Sequence, residues 1–223
     1  MNAVVTIAIG EHYQKLSAVT HISLKAYADR LGADFVVLQD QGSHAFPHYV
    51  KLDLYELFDK YERILFIDSD IIIRSDTLDL FRLVKEDQIG MVEDASRDWQ
   101  PLYNHFCQEI GVHPSPWRGV YYNTGVMVLS RCHRDLFLPA AQEKEHFFEQ
   151  TYLNVRLDQL GYAVATLPQL FNYQVSRDLS LGTPDRFQAF VIHYSGTALG
   201  SHVSDLIEFV RQDLSQWWEL GFR

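Results

Sequence analysis

The stretch Arg63-Ile64-Leu65-Phe66-Ile67-Asp68-Ser69-Asp70-Ile71-Ile72-Ile73 constrains this chain more than any other. Four consecutive apolar residues after the arginine fit a parallel strand covered on both faces, because a strand with one wet face would alternate. The run stops abruptly at two acids, and three isoleucines follow. Carboxylates wedged between buried runs are costly unless paired, so Asp68 and Asp70 need a partner. In extended backbone, residues i and i+2 point the same way, which lets both carboxylates converge on one hard cation such as Mg²⁺ or Mn²⁺. They also stand at the carboxyl end of a strand, where ligands of open α/β sheets collect. The plainer reading is a strand that ends in a solvated turn.

The rest of the chain alternates strands with helices. Residues 3–9 read as a strand, 14–31 as a helix ending at Gly32, and 34–38 as a second strand, a βαβ opening. Val50, Leu54, Leu57, Phe58 and Tyr61 recur with helical spacing over 50–61 and form one buried stripe, leaving Lys51 and Asp53 to face elsewhere. Further strands are predicted at 89–93 and 121–129, and between them an irregular stretch with Trp99, Pro101, Pro114, Pro116 and Trp117 is expected to shape a pocket. A helix over 149–160, short strands at 163–167 and 189–193, and an amphipathic end from Val203 to Leu220 complete the pattern. No repeat, low-complexity tract or Gly/Ser linker divides the 223 residues, so the fold class is α/β: one domain, 1–223, around a mostly parallel sheet.

Charge and cysteine content narrow the function classes. With 19 basic and 29 acidic residues the formal charge is −10, the wrong sign for gripping nucleic acid or anionic lipid. Cys107 and Cys132 lack the spacing of a disulfide framework or a thiolate zinc site, which points to a reducing, cytoplasmic setting. Met1 to Gly10 reads as a first strand rather than a leader, and no run is long enough to span a bilayer, so any membrane contact is expected to be peripheral.

Three more groups carry candidate chemistry. Asn123-Thr124-Gly125 interrupts the strand Tyr121 to Leu129, and a glycine there marks either close approach of a ligand or a β-bulge. His193 ends the run Phe190-Val191-Ile192 and is a candidate third metal ligand that would favour Mn²⁺ over Mg²⁺. With ten histidines in the chain, a structural role is the common alternative. Gln150 and Asn154 are four apart on one helix face, where their amides can hold sugar hydroxyls or simply meet solvent.

In order and spacing, these motifs resemble the retaining family 8 glycosyltransferases, the group that contains glycogenin and bacterial lipopolysaccharide galactosyltransferases, and the resemblance covers nearly the whole chain. It implies a GT-A, Rossmann-like fold for nucleotide-diphospho-sugar transfer. The opening strand and loop, with Ala8 and Tyr13, resemble the family's uridine-binding start, and Lys51-Leu52 its Lys-Leu pair. Phe66-Ile67-Asp68-Ser69-Asp70 looks like its Asp-x-Asp motif, with Ser69 placed on the donor. Tyr122-Asn123-Thr124-Gly125-Val126 is similar to the segment contacting the donor sugar, and Glu149-Gln150 with Leu153-Asn154 to its Asp-Gln…Leu-Asn segment, which puts Gln150 near the anomeric carbon. Asp94 loosely matches an acid that binds donor hydroxyls. His193-Tyr194-Ser195-Gly196 resembles the turn whose histidine completes the metal site, with Gly196 beside the donor. Two departures stand out. Leu199-Gly200-Ser201 occupies the place of the Lys-Pro-Trp that clamps the diphosphate, and Glu149 stands for an aspartate.

The resemblance thus implies an enzyme that uses Mn²⁺ or Mg²⁺ to move a hexose from a UDP-sugar to an acceptor hydroxyl with retention, in glycan or polysaccharide biosynthesis. The acceptor would be a carbohydrate, a lipid-linked sugar or a protein. A haloacid dehalogenase-type phosphohydrolase also places Asp-x-Asp after an apolar strand, but there the strand is the first and a Gly-Asp-x-x-x-Asp site follows, neither of which is found here. A catalytically silent nucleotide- or sugar-binding module is the other alternative, prompted by the missing lysine.

Overall fold

In the computed structural model, residues 1–111, 117–140, 143, 148–175, 186–195 and 203–221 are described. The strands are β1 (Asn2–Ile7), β2 (Asp34–Leu38), β3 (Arg63–Ile67), β4 (Ile71–Ile73), β5 (Gln88–Glu93), β6 (Tyr122–Ser130), β7 (Ala163–Leu167), β8 (Tyr173–Gln174) and β9 (Val191–His193). The α-helices are α1 (Gly10–Leu31), α2 (Leu54–Leu57), α3 (Leu80–Leu83), α4 (Gln100–Glu109), α5 (Phe148–Leu160) and α6 (Val203–Glu219).

Six strands form the central sheet in the order β2-β1-β3-β6-β5-β7. The pairs β2–β1, β1–β3 and β5–β7 are parallel, whereas β6 runs antiparallel to both β3 and β5, so the sheet is mixed. The apolar run of β3 is explained by its two covered faces. Ile64 and Phe66 join one core cluster with Tyr49, Phe58 and Leu153, while Leu65 and Ile67 join the opposite one with Leu24, Tyr27 and Phe81. A second, three-stranded sheet, β4-β9-β8, lies beyond the end of β3. Its apolar side chains pack with α1 and α6 in a third cluster containing Leu16, Ile72, Ile192, Val210 and Trp217.

Several sequence expectations need correction. The opening strand ends at Ile7 rather than residue 9, and α1 begins at Gly10 rather than 14, but it stops as expected at Gly32, whose φ of 63° suits a left-handed helix cap. The stripe over 50–61 belongs to a 3₁₀ helix, Pro47–Asp53, leading into the single turn of α2. The irregular stretch contains α4, which starts with Pro101 in its first turn, a position where the missing N–H costs nothing. Trp99 stacks on Tyr121 with ring centres 4.4 Å apart, and Trp117 meets Tyr103 edge-on at 4.7 Å. Both tryptophans pack against tyrosines; Pro114 and Pro116 lie outside the described residues. Among the described residues, no helix is long and apolar enough to cross a membrane.

Candidate active site

A cleft of 510 Å³ opens where β1 and β3 end, and Tyr13, Lys51, Asp68, Ser69, Asp70, Asn123, Thr124, Glu149, Gln150 and His193 all line it. Local geometry explains why so much polarity converges there. Asp68 leaves β3 while its N–H still donates to the Gly125 carbonyl at 2.8 Å, which ties the acidic turn to β6. Thr20 on α1 donates to the Ser69 carbonyl at 2.7 Å and fixes the turn from the other side. The chain then enters β4, whose Ile71 pairs with His193 on antiparallel β9. The small sheet thereby returns His193 to the end of β3.

Asp68, Asp70 and His193 each offer a ligand atom, and the three lie within 4.8 Å of one another. His193 Nε2 is 3.2 Å from Asp70 Oδ1 and 3.8 Å from Asp68 Oδ2. Two carboxylate oxygens and an imidazole nitrogen suit Mn²⁺ well and Mg²⁺ passably, so the residues fit a divalent cation. Burial pushes the Asp68 carboxyl above the ordinary range, and the neighbouring Asp70 charge adds to this against the pull of Lys51. For Asp70 burial works upward too, but the His193 imidazole outweighs it and holds that carboxyl low. Burial alone would lower His193, yet the two aspartates raise it.

Lys51 is buried at 5% exposure beside this cluster. Its ammonium lies 3.1 Å from Asp68 Oδ1 and 2.7 Å from Glu149 Oε1, and donates to Thr124 Oγ1 at 3.1 Å. Desolvation would lower its pKa, but the Asp68 and Glu149 charges overcome it and hold it well above that of an ordinary lysine. Glu149 is depressed in turn: burial opposes the shift and the Lys51 charge wins. Tyr13 stands 44% exposed at the rim. Burial and then the Asp70 and Asp68 charges raise its phenol.

Of the two readings of Asn123-Thr124-Gly125, the structure shows the β-bulge, and the space at the glycine is filled by side chains of this protein. Pairing of β6 with β5 jumps from Met91↔Met127 to Val92↔Asn123, a bulge that turns Asn123 and Thr124 into the cleft. Gly125 is also the point of closest approach. A Cβ built on it would sit 2.4 Å from His193 Cε1 and 2.9 Å from both Asp68 Oδ2 and Asn123 Oδ1. Gly125→Ala should therefore push the metal ligands apart, at ~1–3 kcal/mol of stability. Calorimetry should show Mn²⁺ binding weakened by at least about tenfold, since ligand placement of this kind is worth 10–100-fold. Wild-type affinity in this variant would mean that the ligands do not need the space.

Not every expected residue reaches the cleft. Asn154 accepts from the Tyr122 N–H at 2.8 Å and donates to the carbonyls of Tyr122 and Gln150 at 2.9 Å each, so its amide is spent on backbone. Asp94 caps the turn after β5, accepting from Ser96 N at 3.1 Å and Ser96 Oγ at 2.6 Å. Ala8 is fully buried, its N–H bonded to the Leu38 carbonyl at 2.9 Å, and its neighbours Ile7 and Ile9 face the cleft instead. Gly196, like Leu199-Gly200-Ser201, lies outside the described residues. His48, Ser195 and Asn172 were not singled out from sequence. The first two line the cleft, and Asn172, fully buried, meets His193 Nδ1 through its Oδ1 at 2.8 Å. A clamp behind β9 holds this strand in place: Tyr194 donates to Asp213 of α6 at 2.9 Å, and Arg186 grips the same carboxylate through two bonds of 2.9 Å.

The sequence profile of glycosyl transferase family 8 matches residues 17–198. Curated protein sequences give no match. Solved structures do. A glycosyltransferase involved in glycosylating the major capsid of PBCV-1 superposes with TM-score 0.61 at 11% identity, over 95% of this chain and 98% of that one. The galactosyltransferase LgtC, in complex with donor and acceptor sugar analogues, gives TM-score 0.60 at 16% identity over 96% and 95%. Mouse xyloside xylosyltransferase 1 gives 0.54 at 14% identity over 89% and 99%. At these identities the likeness is one of fold.

Proposed function

The chain belongs to glycosyl transferase family 8, and on that premise we propose that it transfers a hexose from a UDP-sugar to an acceptor hydroxyl with retention of configuration. The observation that carries this is the convergence of Asp68, Asp70 and His193 beside the Gly125 bulge, in a cleft of 510 Å³. Family membership makes the chain a transferase and sets the phosphohydrolase alternative aside.

In this reading Tyr13 at the rim stacks on the base, and Asp68, Asp70 and His193 hold Mn²⁺ or Mg²⁺. The bound cation supplies Lewis-acid stabilisation of the charge that builds on the β-phosphate as it leaves. Asn123, Thr124 and Glu149, which line the same cleft, hold sugar hydroxyls. Glu149 is already committed to Lys51 and Thr124, at 2.7 and 3.0 Å, which disfavours it as an attacking nucleophile. The acceptor oxygen therefore bonds to the anomeric carbon on the face that the phosphate vacates, and its proton passes to a departing phosphate oxygen. Gln150 lies beside that carbon, and Asn154 and Asp94 act from behind by shaping β6 and the turn after β5. The acceptor is a carbohydrate, a lipid-linked sugar or a protein. A cytoplasmic setting agrees with the free thiols of Cys107 and Cys132.

Calorimetric titration of UDP with and without Mn²⁺, with GDP as the comparison, tests the reading. Binding of UDP that requires Mn²⁺ and exceeds that of GDP is the expected result. A protein that ignores both nucleotides in the presence of Mn²⁺ overturns the donor site and leaves a silent member of the family.

A further inference from the structure

Two backbone N–H groups orient a chain of buried amides that ends on the metal-site histidine. The Thr124 N–H can only donate and lies 3.1 Å from Gln150 Oε1, so that atom is the amide oxygen. The same oxygen accepts from Asn123 Nδ2 at 3.2 Å. Independently, the Gly125 N–H donates to Asn123 Oδ1 at 2.8 Å, and both anchors assign the Asn123 amide the same way round. Asn123 Oδ1 also accepts from Asn172 Nδ2 at 2.7 Å. The Asn172 oxygen must then be the atom that faces His193 Nδ1, at 2.8 Å. An amide oxygen has nothing to donate, so Nδ1 carries a hydrogen.

We propose that Asn172 is a positioning residue that locks His193 in the Nδ1–H tautomer, which keeps the Nε2 lone pair aimed at the cation held by Asp68 and Asp70. The inference rests on the metal reading above and deepens it. Turning the Asn172 amide over would set its oxygen against Asn123 Oδ1 and its NH₂ against the His193 N–H. Both contacts are repulsive around an Asn172 side chain that has no exposure to water. A metal-bound imidazole whose other nitrogen has a fixed acceptor is held in both tautomer and ring angle. Because β8 and β9 are parallel neighbours, with Tyr173 opposite Ile192 and Gln174 opposite His193, the backbone holds Asn172 beside the ring it orients.

Two variants and two readouts test this. Asn172→Leu removes the acceptor, and Asn172→Asp keeps it while abandoning the donor to Asn123. In the metal-free protein with the ring neutral, ¹⁵N NMR of His193 should show Nδ1–H in wild type and in Asn172→Asp. In Asn172→Leu the hydrogen should move to Nε2, toward Asp70. Calorimetric Mn²⁺ titration should give an affinity ~10–100-fold weaker in Asn172→Leu and close to wild type in Asn172→Asp. An Nδ1–H ring in the leucine variant, or equal weakening in both variants, overturns the proposal. If the leucine variant does not fold, loss of the Nδ1–H signal in Asn172→Asp does the same. If wild type itself fails to bind Mn²⁺, the metal reading fails while the NMR readout still judges the tautomer.

Discussion

Asp70→Asn is expected to give a folded protein whose Mn²⁺-dependent sugar transfer has fallen by about three decades or more, the size of effect that losing several kcal/mol of leaving-group stabilisation implies. The substitution is nearly isosteric and replaces one of two carboxylates with a neutral amide, at a cluster whose ligand atoms lie within 4.8 Å of one another. It also removes the carboxylate that His193 Nε2 approaches at 3.2 Å, so the imidazole loses its strongest source of positive shift. Asp68 gains in compensation, since the Asp70 charge adds to its raised pKa, and fewer like charges then crowd the turn. Thermal stability should therefore change little or rise while Mn²⁺ titration goes flat. Transfer assayed with a UDP-hexose across a range of Mn²⁺ concentrations checks the catalytic side. Turnover equal to wild type would remove Asp70 from the metal site, whatever the family.

Asp70 was legible because its setting is local: two acids at the end of a doubly covered strand declare themselves in eleven consecutive residues. The bounds 63–67 and 163–167 were read as they stand, and Gly32 marked a helix end, since each depends on composition and backbone freedom alone. The helix α4 was missed although Pro101 and the spacing of Tyr103, Phe106 and Cys107 were in plain view; the surrounding prolines and tryptophans suggested a loop. The antiparallel course of β6 is different in kind. An apolar strand buried on both faces looks the same in either direction, so no pattern in Tyr122–Ser130 could reveal it. For Asn154 the helical spacing to Gln150 is real, but its amide is spent on the backbone groups of Tyr122, which spacing along one helix cannot show. Asn172 was out of reach altogether, because its meaning comes from Asn123 and His193, 49 and 21 residues away.

Lys51→Met should have the largest effect on stability, a loss of ~3–5 kcal/mol, because it strips the buried ammonium that pairs with the buried Glu149 and the partly exposed Asp68. Methionine is close to lysine in length and volume, so the loss measures the charge, including its place over the Phe66 ring 5.2 Å from the centroid. The pH dependence carries the sign. In wild type, Glu149 is depressed from 4.5 by Lys51, so its contribution to stability is present above the unfolded value and is lost as pH falls through the folded one. Without Lys51, burial loses its main opponent at both carboxyls, leaving His48 and the Thr124 hydroxyl at Glu149 and His193 at Asp68, so the variant should regain stability as acid protonates Glu149 and Asp68. Thermal melts from neutral pH down to about 4.5 should show the gap between the two proteins closing from above. A gap that stays constant over that range would mean that Lys51 stabilises the fold by packing alone, and that Glu149 and Asp68 owe their charge to something else in the cleft.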